Sequence, residues 1–193
     1  SHDIFRALKS QSGPLSLDAQ AYAKLRQVYT APIQIPFDDE FGGVTMTTFC
    51  NTYPEFTDFN NLSLVVFLSF RGVTCLFPGD LEKAGWLALL RNNAFRGWLS
   101  RTNILVASHH GRESGYAPEI FEHCAPQIIL ISDKPIVHQT QTKSASLYGR
   151  HSSGLWVING NTTNFRSVLT TRKDGWIHIS VNDNGSLTIR TEM

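Results

Sequence analysis

The stretch Asn103–Gly115, NILVASHHGRESG, is an apolar run that stops on two adjacent histidines, a glycine and a polar tail. Two other apolar runs stop in the same way: VTCLFPGD on Gly79-Asp80 and PQIILISD on Ser132-Asp133. In layered α/β proteins, groups at the carboxyl ends of neighbouring strands face a common crevice, and ligands bind there. Asp80 supplies a hard anionic oxygen, and His109 and His110 supply borderline nitrogens. Together they make a donor set suited to zinc, iron or manganese. Side chains alternate along a strand, so two consecutive histidines do not readily grip one ion. One is therefore expected as a ligand and the other as a substrate or supporting contact. Arg112 and Ser114, just beyond the pair, are candidates for holding an anionic substrate oxygen.

Each of these residues also has a plainer use. Asp80 is well placed to cap a helix starting at Leu81, and His109-His110-Gly111 also suits a solvated turn. Ser132-Asp133 reads either as support for a metal-bound histidine or as the start of a turn. His151, in YGRHSSG, fits a helix end, where a cationic imidazole suits the dipole. His123 and His178 read as structural, one on a helix and one on the alternating face of a strand.

The elements that would carry these groups follow from periodicity. LSLDAQAYAKLRQVYT has Leu15, Ala19, Tyr22 and Leu25 at helical spacing, with Ser16 or Asp18 to cap its start. IQIPF, VTMTTF, LSLVVFLSF and VTCLF read as strands, the last two joined at Arg71-Gly72 by a tight hairpin. LEKAGWLALLRNNAFRGWL reads as one helix, NILVAS as a buried strand, APEIFEHCA as a short helix and PQIILIS as another buried strand. KSASLYGRHSSG suggests a helix with a glycine stop. LWVING, RSVLTT, GWIHISV and SLTIRT then read as strands, with turns at Asp174-Gly175 and Asn184-Gly185. The layout predicts an α/β chain with mixed strand pairing.

Composition narrows the function classes. The 193 residues are 41% hydrophobic and 17% charged, as in an ordinary globular domain. Lys plus Arg (17) nearly balance Asp plus Glu (16), so bulk charge does not mark a nucleic-acid surface. An anionic substrate must then be held locally, by a metal or a few cations. Cys50, Cys75 and Cys124 are an odd number at no metal-ligand spacing, which points to reduced thiols and a cytoplasmic setting. No apolar run approaches the ~18 residues that span a bilayer. Ser1-His2 in place of a start methionine reads as a tag scar or a cut edge, and His2 carries little functional weight.

Taken in order, FPGDLEKAGWLALL, NILVASHHGRESGY, IILISDKPIVHQT and TRKDGWIHISV resemble the carboxyl-terminal part of the metallo-β-lactamase superfamily. The likeness is greatest to the hydrolase domains of its ComEC-like competence branch, and it also takes in FNNLSLVVFLSFRGVTCLFPGD. It covers about two thirds of the chain, roughly Asn60 to Val181. The resemblance implies an αββα sandwich and a dinuclear site, with zinc, or else manganese or iron, as the metal. It makes Asp80 the bridging ligand and His109 or His110 a ligand of the second metal, with His110 preferred and His109 placed near substrate. A later histidine of the family aligns with His138 of PIVHQT, which lacks the usual flanking glycine and proline. On this likeness Asp80, His109 and His138 carry the catalysis, and the reaction is metal-assisted hydrolysis of a phosphodiester, nucleic acid included, or a related ester.

The family's amino-terminal signature, His-x-His-x-Asp-His, has no counterpart in these residues. The expectation is therefore a single domain, 1–193, or the carboxyl-terminal portion of one. The rest would come from upstream sequence or a partner chain, unless the site has degenerated. The alternative function is a non-catalytic half-domain or pseudoenzyme that binds a partner. A half-fold would leave the apolar strands LSLVVFL, VTCLF, NILVA and IILI with one face uncovered, and the isolated chain would bind metal weakly and associate with itself.

Overall fold

The computed structural model describes residues 42–134 and 143–192, together with Gly13, Pro14, Leu17, Gln20 and Ala21. Most of the expected first helix, the IQIPF strand and His138 lie outside the described residues. The rest is an α/β arrangement of two mixed sheets with few helices.

The first sheet is built on hydrophobic runs that pair in chain order. Strands β1 (Thr45–Phe49), β2 (Val65–Phe70) and β3 (Val73–Phe77) form an antiparallel meander. Its second turn is Arg71-Gly72, both with positive φ (49° and 80°), the twist a two-residue hairpin needs. From β3 onward the pairing is parallel, through β4 (Thr102–Val106), β5 (Ile128–Ile131) and β8 (Val168–Thr170). The second sheet has the order β7, β6, β10, β9, where β6 is Leu155–Asn159, β7 Thr162–Arg166, β9 Trp176–Val181 and β10 Leu187–Glu192.

Two apolar clusters follow from strand alternation. On one face of the larger sheet, Val65, Phe67, Leu76, Leu105, Ile129 and Ile131 pack beneath the helical layer of Trp86, Phe95, Leu99 and Tyr148. Phe49, Phe67 and Phe95 meet edge to face there, at centroid distances of 5.1–5.8 Å. On the other face, Val73, Ile104, Ile128 and Leu169 pack against Val157 and Ile189 of the smaller sheet. Strands β3 to β5 are thus covered on both faces by this chain, which corrects the expectation of an uncovered apolar face among them, while β2 adds Val65 and Phe67 to the first cluster alone. The most exposed aromatics of the strands lie on the smaller sheet, at Trp156, Phe165 and Trp176, with Phe77 less exposed at the end of β3. No second helical layer over that sheet occurs among the described residues.

Three local readings change. The 81–99 segment divides into α1 (Lys83–Leu89) and α2 (Asn93–Leu99), because Asn92 turns out of helical geometry and caps α2 through Ala94 N–H (2.9 Å) and Phe95 N–H. The short helix expected in APEIFEHCA is a 3₁₀ segment, Pro118–Glu122, whereas KSASLYG forms α3 (Ser144–Gly149). Asp174-Gly175 does not close a hairpin: β8 belongs to one sheet and β9 to the other, and a single turn, α4 (Thr171–Asp174), carries the chain across. Asp174 is buried there, ion-paired to Arg166 at 2.9 Å and accepting the Thr170 N–H at 2.8 Å.

Candidate functional site

Parallel pairing puts the ends of β3, β4 and β5 on one rim. Short backbone links hold their tips together: Ala107 N–H donates to Leu130 C=O (2.7 Å) and His109 N–H to Gly79 C=O (3.0 Å). The Ser108 hydroxyl reaches across to the carbonyls of Leu81 and Gly79. Gly79 has φ 62°, and a Cβ there would lie 3.2 Å from Ser63, whose hydroxyl accepts the Asp80 N–H. The sequence thus spends its glycine where the turn into Asp80 is tightest.

After β4 the backbone turns left-handed at three consecutive residues, His109 (φ 50°), His110 (φ 55°) and Gly111 (φ 72°). For a side-chain-bearing residue this costs roughly 1–2 kcal/mol each. The turn, rather than strand alternation, sends the two imidazoles apart. His110 points along the rim: its Nδ1 is 2.8 Å from Ser132 C=O, and its Nε2 is 3.6 Å from Asp80 Oδ1. A carbonyl at Nδ1 fixes the tautomer with its proton there, which turns Nε2 as the basic nitrogen towards Asp80.

His109 goes inward and is buried. Its Nδ1 lies 3.2 Å from Glu82 Oε1 and 3.1 Å from Ser114 Oγ, and its Nε2 3.2 Å from Arg112 Nη1. A guanidinium can only donate, so Nε2 accepts and Nδ1–H donates. Glu82 also accepts from Asn60 Nδ2 at 3.1 Å. Both ring nitrogens of the buried His109 are thereby committed to a chain of hydrogen bonds that runs out to half-buried Glu82 and Arg112 and to exposed Ser114.

The capping question resolves in the geometry. Helix α1 starts at Lys83, and its first N–H groups are met from a distant loop: Asn61 Oδ1 accepts from Gly85 N–H (2.8 Å) and Glu82 N–H (3.3 Å). Asp80 takes no part in the cap, and its carboxylate, about half exposed, faces His110.

Asp80 and His110 are therefore brought together, His109, Arg112 and Ser114 form a second group beside them, and His138 lies outside the described residues. His178 is far from the rim in sequence and sheet, on β9 opposite Glu192 at 3.9 Å. His151 packs flat on Phe121 (3.9 Å between centroids) and meets the Tyr116 hydroxyl at 2.8 Å. Burial there, with Arg150 adding to it, lowers its pKa. Glu82 and Arg172 were not singled out by spacing, because their partners lie more than twenty residues away. Burial pushes the Cys75 and Cys124 thiols up to about 12, which makes both poor nucleophiles and poor ligands.

Among the described residues no group of three or more His, Cys, Asp or Glu side chains is arranged to hold a metal ion. A protein zinc site needs at least three protein ligands, and Asp80 with His110 supplies two. The donor types fit one edge of a centre, but the described residues do not fit a complete one. No described helix is long and apolar enough to cross a membrane. No family model, curated protein or solved structure matches the chain.

Proposed function

We propose that the chain contributes the Asp80–His110 edge of a metal-dependent hydrolase site of the metallo-β-lactamase kind, acting on phosphodiester or related ester substrates. The single observation that carries this reading is the His110 ring. It is oriented through Nδ1 by a backbone carbonyl and faces a carboxylate that caps no helix among the described residues. That is how a ligating histidine is prepared, and the left-handed backbone spent on it is the kind of strain that collects at functional sites. The αββα sandwich belongs to the same proposal. So does a dinuclear zinc centre whose further ligands come from outside the described residues, on upstream sequence or a partner chain. His109 acts as a buried link rather than a ligand, with Arg112 and Ser114 beside it. Three free thiols agree with a cytoplasmic, reducing setting.

A second reading, a non-catalytic binding module, draws on the absence of a third donor among the described residues. The two separate in one experiment: zinc calorimetry and hydrolysis of bis(p-nitrophenyl) phosphate, run on the chain and on Asp80→Ala. The hydrolase reading expects weak zinc binding that Asp80→Ala lowers about tenfold or more, since a charged ligand is worth on the order of 1.5–3 kcal/mol. It also expects little turnover until the missing part is supplied. Zinc binding unchanged by Asp80→Ala would favour the module.

A further inference from the structure

The tip of β5 holds both walls of one small cleft. His110, Asp133, Ser144, Thr170 and Arg172 line it over a floor of Ile131. Ser132 C=O holds the His110 ring on one side at 2.8 Å. On the other, the Asp133 carboxylate accepts the Arg172 N–H at 3.1 Å and pairs with its Nη1 at 3.2 Å. Thr171 Oγ1 closes the joint, donating to Asp133 C=O at 2.7 Å and accepting the Asp133 N–H at 2.8 Å. The Asp133 side chain is only 3% exposed and the Arg172 side chain 29%. The acid is thus used up behind the guanidinium, and the guanidinium reaches the cleft. Arginine carries five donors in a rigid fork, and the Asp133 carboxylate pairs with one of its terminal nitrogens, Nη1.

The geometry points to Arg172 as a binding residue for a phosphate-type oxyanion seated at its guanidinium, in the cleft that the His110 ring borders, with Asp133 as its positioning residue. This rests on the hydrolase reading and deepens it. The forked donors suit an oxyanion, phosphate and carboxylate alike, and within the hydrolase reading the phosphodiester is the anionic substrate class put to the test.

The probe is inorganic phosphate, titrated into the metal-free full chain while the His110 ring and Arg172 side-chain resonances are followed by NMR. Both signals move together and saturate in the wild type. Arg172→Gln weakens the apparent affinity about tenfold or more, as loss of a charged hydrogen bond requires, and Asp133→Asn weakens it less. Arg172→Lys keeps the charge at the clamp and retains part of the affinity, which separates lost binding from lost folding. Phosphate that leaves both signals unmoved, or binds Arg172→Gln as well as wild type, overturns the assignment. Failure of the hydrolase reading looks different: phosphate binds through Arg172, yet the completed protein does not cleave phosphodiesters.

Discussion

At the residue scale, His109 and His110 are neighbours with opposite duties. The buried His109 imidazole ties a half-buried carboxylate, Glu82, to a guanidinium, Arg112, so removing it takes a partner from each. His110 is exposed and spends left-handed backbone on a contact with the rim. His109→Ala is expected to lower unfolding free energy by about 1–2 kcal/mol, from the loss of a buried ring that makes hydrogen bonds to charged, half-buried partners. His110→Gly is expected to stay within about 1 kcal/mol of wild type, because glycine relieves the left-handed strain as the Ser132 contact is lost. Denaturant melts measure both, and a His110→Gly loss equal to that of His109→Ala would show that His110 is also structural. The sequence separated the pair into one ligand candidate and one supporting contact, with His110 preferred as ligand by the resemblance, but not the contacts that set the two rings apart. That division depends on Glu82 and on the dihedrals of a turn, neither of which spacing encodes.

At the element scale, the apolar runs marked β3 to β5 well, because strands buried on both faces carry near-continuous hydrophobic sequence. Strand β7, TTNFR, went unmarked because it is an exposed edge with little apolar content. The boundary between α1 and α2 was hidden because Asn92 looks like any polar residue on a helix until its side chain is seen accepting two N–H groups. Helix α3 leads into His151, which is packed between Phe121 and Tyr116. Burial lowers the folded-state pKa of this imidazole below its unfolded value, so the unfolded chain binds the extra proton first. Its contribution is therefore whole above the ordinary histidine range, near pH 6.5, and is lost as pH falls through the depressed folded value. Melting temperature is expected to drop between neutral and mildly acidic pH, and His151→Phe to flatten that drop. An unchanged slope in the variant would remove His151 from the account.

At the scale of the whole molecule, the two sheets share one core, with Ile104 and Ile128 of the larger meeting Val157 and Ile189 of the smaller. Balanced composition and alternating strands announced an α/β chain, but not how the sheets divide. The crossover at Thr171–Asp174 reads locally as a hairpin turn, and only long-range pairing shows β8 and β9 in different sheets. The central claim is that one edge of this body, Asp80 with His110, is where a metal is met. Substoichiometric Mn²⁺ added to the isotopically labelled full chain maps that edge directly, since its paramagnetism broadens resonances near the bound ion. The account predicts broadening first at Asp80, His110 and Ser132, and its disappearance in Asp80→Ala. Broadening centred instead on His178 and Glu192, or unaltered at the rim in Asp80→Ala, would contradict it.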